Sequence, residues 1–264
     1  MAHTEFLTFA LELAAVAAKE ILPRFQKCNV SHKGDGTIVT EADRMAERQM
    51  RRRIRARYPS HGIVGEEEGT TVGSTDHQWF IDPIDGTMCF SLGVAKFGTL
   101  IALLEEGKPR LGVIHLPVTH ESVFAEVGGG CWYVRGASRP QLVRVDQTVS
   151  QLSDAFVSLS GIEGSKMDDK TARPRLANLI GRTHQIEFIG DCVQYALVAR
   201  GRIHAALDYV MKPWDTAAVV PCIREAGGVV STLNGKSDQV VNGGSLVASC
   251  TRRLHEELLA TING

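Results

Sequence analysis

Acidic residues in this 264-residue chain stand where several carboxylates could meet at one point. Residues 82–87 read Asp-Pro-Ile-Asp-Gly-Thr and follow a short apolar run. The proline fixes one backbone angle, and the glycine permits a turn that other residues resist. Such a turn can direct the carboxylates of Asp82 and Asp85 and the carbonyl of Ile84 at one point. Oxygen ligands without nearby histidine or cysteine suit Mg²⁺ better than zinc.

The same turn could hold a phosphate group. Thr87 offers a hydroxyl, and the amides of Gly86 and Thr87 could bind phosphate oxygens. An Asp-rich turn with proline and glycine is often only a turn. Taken alone, the segment supports a structural and a functional interpretation about equally.

Three further acidic positions could join this cluster, and each also has a structural explanation. Asp43 ends a Thr-Glu-Ala-Asp sequence that fits a helix capping box. Glu66 begins a run of three glutamates that would usually be a solvated loop. Asp215 could be the N-cap of a following helix. Considered one at a time, the structural explanation is favoured for each.

The elements that must position these residues follow from hydrophobic periodicity. A first helix is predicted to end near Pro23, and a second to run from Thr40 to about residue 58. Strands are predicted at 63–64 and 79–81, the latter ending in a turn at Asp82. The next predicted strands form an antiparallel meander: 97–104, 111–116, 122–127 and 132–134.

After about residue 145 predicted strands and helices alternate, which implies a sheet covered by helices. The strands are 155–159, 186–189, 203–207, 229–230 and 246–248. The helices are 171–180, 191–199, 215–226 and 254–262. We expect two packed subdomains: an α+β subdomain at 1–145 with most candidate metal ligands, and an α/β subdomain at 146–264 with Asp215.

Composition narrows the class of protein. The chain is 44% hydrophobic and 22% charged, which argues against disorder. A formal net charge of -1 gives no general attraction to nucleic acid or anionic membranes. No apolar run is long enough for a transmembrane helix, and the first residues lack a basic signal-peptide region. Six scattered cysteines without a CxxC pair indicate reduced thiols, so a cytoplasmic protein is expected.

Five motifs occur in order along nearly the whole chain: Val39-Thr40-Glu41-Ala42-Asp43, Gly65-Glu66-Glu67, residues 79–87, Pro213-Trp214-Asp215 and Glu225-Ala226-Gly227-Gly228. Together they resemble the inositol monophosphatase family of lithium-sensitive phosphatases. The resemblance implies a layered αβαβα sandwich and hydrolysis of a small phosphorylated alcohol with two or three Mg²⁺ ions. It also implies a homodimer.

The resemblance assigns roles position by position. Asp43 and Thr87 would orient the attacking water, and Gly86 and Thr87 would bind the phosphate. Lys33 would lie near the outermost, weaker metal ion. The implied metal ligands are Glu66, which also counts among the catalytic residues, Asp82, the carbonyl of Ile84, Asp85 and Asp215.

Within the family, residues 97–104, 111–114, 190–192 and 212–221 resemble the histidinol-phosphatase branch, which hydrolyses L-histidinol phosphate in histidine biosynthesis. By position, the alcohol part of the substrate would be contacted by Asp191, Cys192, Asp208 and Asp215. An ordinary N-cap is an equally good explanation for Asp191.

Three departures from the family pattern allow another substrate, such as inositol 1-phosphate or a sugar phosphate. Asp208 stands where glutamate is usual, and His204 stands where an acidic residue is usual. A lone histidine is more often structural than catalytic. Met88-Cys89 replaces a commoner polar pair after Thr87, and a buried inert thiol is the default interpretation for Cys89.

Two other functions compete. Covalent phosphoaspartate phosphatases use Asp-x-Asp-Gly-Thr, but here two residues separate the aspartates. A regulatory role in binding RNA or protein would use the basic stretch of the second helix: Arg48, Arg51, Arg52, Arg53, Arg55 and Arg57. A solvated helix face explains that stretch better, because the overall charge is nearly neutral. Nucleic acid is therefore not expected as a partner.

Overall fold

The structure is a computed structural model that describes residues 4–27, 29–34, 36–161 and 175–264. Within these residues the α-helices are α1 Glu5–Ile21, α2 Glu41–Arg57, α3 Thr87–Ser91, α4 Asp191–Ala199, α5 Pro213–Glu225 and α6 Arg252–Asn263. Short 3-10 helices occur at Leu22–Arg24, Leu152–Asp154 and Leu176–Leu179.

The strands of the first half are β1 Val30–His32, β2 Ile38–Thr40, β3 Gly62–Gly65, β4 Gly69–Thr71, β5 His77–Asp85, β6 Gly98–Glu105, β7 Lys108–Leu116, β8 Glu121–Glu126, β9 Cys131–Arg135 and β10 Gln141–Val143. Those of the second half are β11 Phe156–Leu159, β12 Gln185–Glu187, β13 Ala205–Asp208, β14 Val229–Ser231 and β15 Leu246–Ser249.

Helices α1 and α2 begin where the sequence places capping residues. The Thr4 hydroxyl accepts a hydrogen bond from the Leu7 amide at 3.3 Å, and the Thr40 hydroxyl accepts one from the Ala42 amide at 3.2 Å. Apolar residues on one face of each helix are fully buried, so the two helices pack together and against the large sheet.

The large sheet has eight strands in the order β10-β9-β8-β7-β6-β5-β3-β4. Only the β3–β5 pair is parallel among its described strands, and the predicted meander is its antiparallel part. Strand β5 lies inside the sheet with Trp79 and Ile81 fully buried. Its last residues carry the first candidate carboxylates.

The smaller sheet has five strands in the order β12-β11-β13-β15-β14. The first three strands run parallel and the last two pair antiparallel. Helices α4 and α5 contact both sheets, and α6 packs on β15 from the other side. The order of layers is therefore α1/α2, large sheet, α4/α5, small sheet and α6, which confirms the predicted αβαβα arrangement.

Close packing between layers depends on a glycine at one point. A Cβ atom on Gly112 of β7 would lie 2.1 Å from the Ala218 carbonyl oxygen of α5. Only glycine lets the helix backbone approach the strand this closely. Helix α5, which carries Asp215, is thereby held against the sheet that carries Asp82 and Asp85.

Some predicted elements differ from the structure. The predicted helix 171–180 lies partly outside the described residues, and of the remainder Leu176–Leu179 form only a 3-10 helix. The strand predicted to end at Asp82 runs on to Asp85, with an irregular register between these two residues. Strands β1, β2, β4 and β10 and helix α3 were not predicted, because segments of three to five residues carry little periodic signal.

The basic stretch of α2 is not a uniformly exposed face. Arg51 is 1% exposed, and its Nε lies 2.8 Å from Oε1 of Glu47. Arg48 pairs with Glu68 at 2.9 Å, and Arg57 with Glu5 at 2.6 Å. Half of the six arginines are thus engaged by carboxylates, which weakens the RNA-binding interpretation. None of the described helices is both long and apolar enough to cross a membrane.

Candidate active site

Three carboxylates from two elements meet at the interface between the large sheet and α5. Oxygen atoms of Asp82, Asp85 and Asp215 all lie within 4.8 Å of one another. Asp82 and Asp85 end β5, and Asp215 lies in the first turn of α5. The irregular register of β5 lets both of its aspartates point to this cluster, since regular alternation would place residues three apart on opposite faces.

The backbone after β5 is shaped by the residues that the sequence singled out. Oδ1 of Asp82 accepts a hydrogen bond from the Ile84 amide at 2.9 Å. Gly86 has φ 96°, and a Cβ atom there would lie 2.8 Å from the Lys96 carbonyl oxygen and 2.9 Å from Oδ2 of Asp191. Helix α3 then begins at Thr87, so the turn delivers the threonine hydroxyl to the edge of the cluster.

Asp215 is not the N-cap of α5, and that structural explanation is wrong. Lys212 is the N-cap and Asp215 is the third helical residue, whose Oδ2 accepts a hydrogen bond from the Lys212 amide at 2.7 Å. The Asp215 carboxylate thus caps the first turn of α5 and also belongs to the three-aspartate cluster.

Asp43 has the capping function that its sequence suggested, together with a second contact. Its Oδ2 accepts hydrogen bonds from the Thr40 amide at 2.8 Å and the Thr40 hydroxyl at 2.5 Å. Its Oδ1 lies 3.3 Å from the hydroxyl oxygen of Thr87, which also lies 2.9 Å from the Ile84 carbonyl oxygen. The capping bonds orient Asp43 so that its other oxygen faces Thr87.

Glu66 lies in the turn between β3 and β4 and is only partly exposed. Its amide donates to the Ile81 carbonyl at 3.3 Å, and its carboxylate lies 2.8 Å from Nζ of Lys33. Lys33 also pairs with Glu67 at 2.7 Å. The negative charge of Glu66 acts on Asp82, so Glu66 borders the three-aspartate cluster.

The electrostatics of the cluster favour a bound cation. Burial raises the pKa of Asp82 and Asp85 well above the usual range, and neighbouring carboxylates add to the rise. Burial likewise raises the pKa of Asp215 to about 7. Buried like charges are costly unless they are paired or coordinate metal. The donors are all oxygen, so the residues present fit a hard cation such as Mg²⁺.

A pocket adjoins the cluster and contains the predicted substrate residues. Asp191, Cys192 and Asp208 line it together with Asp85 and Asp215. Oδ2 of Asp85 accepts a hydrogen bond from the Cys192 amide. The Cys192 thiol is 1% exposed and burial raises its pKa, so it is an unreactive thiol.

Asp191 is the first residue of α4, and Gly190 is the N-cap, so the N-cap explanation for Asp191 is wrong. Asp191 has φ 49°, a left-handed conformation that a residue other than glycine adopts only at a cost. Its amide donates to Oγ of Ser160 at 3.2 Å. The strained conformation accompanies the placement of the Asp191 carboxylate in the pocket.

Sequence reasoning missed three residues beside Asp208. Its Oδ2 accepts hydrogen bonds from Nε2 of Gln194 at 2.7 Å and from the Tyr195 hydroxyl at 2.9 Å. Gln194 also donates to Ser160 at 2.7 Å. Gln194 and Tyr195 follow Asp191 by three and four residues in α4, and that helical spacing is the signal that could have identified them.

The three departures from the family pattern lie in different parts of the structure. His204 accepts a hydrogen bond from the Phe156 amide at 2.8 Å and lies 3.5 Å from Asp146, which supports a structural role. Met88 is 58% exposed. Cys89 is half-buried, and burial raises the pKa of its thiol. Asp208 is the departure that lies in the pocket.

Comparison with known proteins places this geometry in a family. A profile described as "Inositol monophosphatase family" matches residues 2–264. The histidinol-phosphatase of Mycobacterium tuberculosis is 35% identical over 100% of this chain and 99% of its own. That of Chlorobaculum parvum is 36% identical over 98% and 97%. Inositol-1-monophosphatases of other bacteria match at 29% to 31% identity.

Among solved structures, the extragenic suppressor protein suhB of Bartonella henselae superimposes with a TM-score of 0.85 at 26% identity. The match covers 98% of each chain. The carboxylate cluster suited to a metal ion, the layered fold and the profile match over residues 2–264 all indicate the same family. The chain is a phosphoric monoester hydrolase that belongs to the inositol monophosphatase family.

Proposed function

We propose that this enzyme hydrolyses L-histidinol phosphate to L-histidinol and phosphate, as a step of histidine biosynthesis. The observation that carries the proposal is the acidic pocket beside the cluster. Asp191 and Asp208 line it, and among the described residues no lysine, arginine or histidine nitrogen lies within 4 Å of either carboxylate. L-Histidinol phosphate has a protonated amine that could pair with these charges.

Two or three Mg²⁺ ions would be held by Glu66, Asp82, the Ile84 carbonyl, Asp85 and Asp215. When bound they supply charge neutralisation for the phosphate and the leaving oxygen and lower the pKa of water. The buried, mutually repelling carboxylates support this assignment.

The chain's own residues would orient the reactants. The Thr87 hydroxyl lies 3.3 Å from Oδ1 of Asp43 and 2.9 Å from the Ile84 carbonyl oxygen. When it donates its proton to Asp43, it would accept a hydrogen bond from the attacking water. Asp43 is kept in orientation by its two bonds from Thr40. The amides of Gly86 and Thr87 would hold non-bridging phosphate oxygens, so that the leaving ester oxygen lies opposite that water, as in-line attack requires.

Inositol 1-phosphate is the second candidate substrate, since several relatives are named inositol-1-monophosphatases. Its alcohol part is a neutral polyol, which offers hydroxyl donors but no positive charge. Burial raises the pKa of Asp191 to about 6 and the positive charge of Lys96 opposes that rise, but a neutral polyol brings no further counter-charge to the two carboxylates, which is costly. Sugar phosphates share this disadvantage.

The test is phosphate release from L-histidinol phosphate, myo-inositol 1-phosphate and several sugar phosphates, with Mg²⁺, with EDTA and with added Li⁺. We expect Mg²⁺-dependent, Li⁺-sensitive turnover with the highest kcat/KM on L-histidinol phosphate. Asp191→Asn should lower that value more than the value for inositol 1-phosphate, whereas Asp154→Asn, an exposed aspartate, should change neither. A higher kcat/KM on a neutral substrate would contradict the proposal.

We also propose a cytoplasmic homodimer. The five described cysteines are all free thiols, which suits a reducing compartment. Sedimentation analysis at micromolar concentration would test the assembly, and a monomer would contradict it.

A further inference from the structure

The carboxylate of Asp208 is held by two buried side chains of α4. Asp208 ends β13 and is 8% exposed, whereas Gln194 and Tyr195 are 0% and 1% exposed. Both donate to the same oxygen, Oδ2, at 2.7 Å and 2.9 Å. Two donors on one carboxylate oxygen restrain the position of that oxygen, and bonds to a charged group are among the stronger hydrogen bonds in proteins.

The same glutamine ties Asp208 to the backbone of Asp191. Nε2 of Gln194 donates to Oγ of Ser160 at 2.7 Å, and that oxygen accepts the Asp191 amide at 3.2 Å. Both hydrogens of the Gln194 amide are therefore committed. Its Oε1 is buried, and no donor to it occurs in the part of the chain that the structure describes.

This arrangement determines the polarity of the pocket. Gln194 and Tyr195 both donate to Asp208. This part of the pocket therefore presents a ligand with the two carboxylates of Asp191 and Asp208. Burial raises the pKa of Asp208 to about 7, while the bonds from Ser160, Tyr195 and Gln194 oppose that rise. A ligand group that suits the pocket must bring donors and positive charge. A protonated amine brings both, and a hydroxyl brings one donor and no charge.

We propose that Gln194 and Tyr195 are positioning residues that orient the Asp208 carboxyl group as a hydrogen-bond acceptor and thereby select phosphate monoesters whose alcohol part carries a protonated amine. The inference rests on the proposed function, because it concerns the same pocket. It adds two specificity-determining residues that contact the substrate-binding carboxylate and are not required to touch the substrate.

The experiment compares two variants, Tyr195→Phe and Gln194→Met, on matched substrate pairs. Each pair has an amine and its counterpart without the amine: L-histidinol phosphate with 3-(imidazol-4-yl)propyl phosphate, and O-phosphoethanolamine with ethyl phosphate. The readout is the ratio of kcat/KM within each pair. We expect each variant to lower this ratio about tenfold or more, because a hydrogen bond to a charged group is lost. The kcat/KM of the amine-free substrates should stay within about threefold, since the cluster is untouched.

Tyr133→Phe is the matched control, because the Tyr133 hydroxyl donates to Glu121 at 2.9 Å outside the pocket. Melting temperatures with Mg²⁺ show whether each variant folds, and either variant alone suffices for the test. An unchanged ratio in the variants, an equal loss on both members of a pair, or a wild-type enzyme without amine preference overturns the inference. Preference for phosphoethanolamine that falls in the variants, without hydrolysis of L-histidinol phosphate, supports the inference and overturns only the proposed substrate.

Discussion

At the scale of single residues, three carboxylates of the site each make a structural hydrogen bond to the backbone and also lie at the candidate active site. Asp43 and Asp215 each use Oδ2 to accept backbone hydrogen bonds at a helix start. Asp82 uses Oδ1 to accept the Ile84 amide. In each case the structural bond restrains one oxygen of the carboxyl group, and the second oxygen is not part of that bond. The structural and functional interpretations of these aspartates are therefore compatible.

Replacing Asp85 by asparagine should separate activity from stability. We expect kcat to fall at least about 100-fold, because a metal ligand contributes several kcal/mol to catalysis. In EDTA the variant should melt at a higher temperature than the wild type, since one of several repelling buried charges is removed. Phosphate release and thermal melting measure the two effects. Near-normal turnover would exclude Asp85 from the mechanism.

The hydroxyl of Thr87 can be tested without changing side-chain shape. Thr87→Val should lower kcat by about 100- to 1,000-fold, because water orientation by Asp43 is lost, while Thr87→Ser should retain most activity. Thr75→Val is the control, since the exposed Thr75 hydroxyl donates to the Ser60 carbonyl. Equal activity of the valine and serine variants would show that the hydroxyl has no such role.

At the scale of elements, three of them converge on one point. Strand β5 supplies Asp82 and Asp85, and helix α5 supplies Asp215. Helix α4 supplies Asp191 and also Gln194, which donates to Asp208. The first turns of both helices and the end of the strand meet, so small displacements of a helix axis change distances within the cluster. Catalytic geometry should therefore be sensitive to packing far from the site.

Gly112→Ala tests this sensitivity. The added methyl group would lie 2.1 Å from the Ala218 carbonyl oxygen, so α5 must shift. We expect a loss of about 1 to 3 kcal/mol in the free energy of unfolding, as for other overpacked positions, and weaker Mg²⁺ binding. Denaturant unfolding and calorimetric titration measure these quantities. Gly34→Ala, at an exposed glycine with open space around its Cβ position, should leave stability unchanged. Unaltered Mg²⁺ affinity in Gly112→Ala would contradict the coupling.

At the scale of the whole molecule, the pocket lies where the two sheets and the helices between them meet. The large sheet ends at Val143 and the small sheet begins at Phe156, which supports a division into subdomains 1–145 and 146–264 as a proposal. Carboxylates from both sides are buried together. The protein should therefore depend on a bound cation for stability in a manner that varies with pH.

The stabilisation by Mg²⁺ should grow as pH rises. Folding raises the pKa of Asp208 and Asp215 from 3.8 to about 7. Their contribution to metal-free stability is therefore complete below about pH 4 and is lost as pH rises through 7. A bound cation compensates for the ionised carboxylates, so the difference in melting temperature between Mg²⁺ and EDTA should be larger at pH 8 than at pH 5.5.

Burial lowers the pKa of His115 and His255 to about 4, so their effect on stability with pH is opposite to that of the aspartates. The difference in melting temperature between Mg²⁺ and EDTA at one pH cancels this histidine effect. Asp85→Asn should show a smaller difference at pH 8 than the wild type. An Mg²⁺ effect that is equal at both pH values would show that the carboxylates are not the source of the instability.

Local sequence patterns predicted the helices α1, α2, α4, α5 and α6 and the antiparallel meander, whereas the layered αβαβα fold was implied by the resemblance to the family. Capping residues and long apolar periods are local signals, so they can be read without tertiary information. The candidate carboxylates were likewise identified by type and spacing. Short strands such as β4 and the extension of β5 to Asp85 depend on pairing with distant strands, which no local pattern encodes.

Only the tertiary structure decided what each polar residue contacts. Glu66 is a partly exposed turn residue that pairs with Lys33, Arg51 lies in a buried ion pair instead of on a basic surface, and His204 is a structural acceptor. The hydrogen bonds from Gln194 and Tyr195 to Asp208 join helix α4 to strand β13, between residues 14 and 13 positions apart in the sequence. Hydrogen bonds and charges act over a few ångströms in space, and the fold alone determines which residues come within that range.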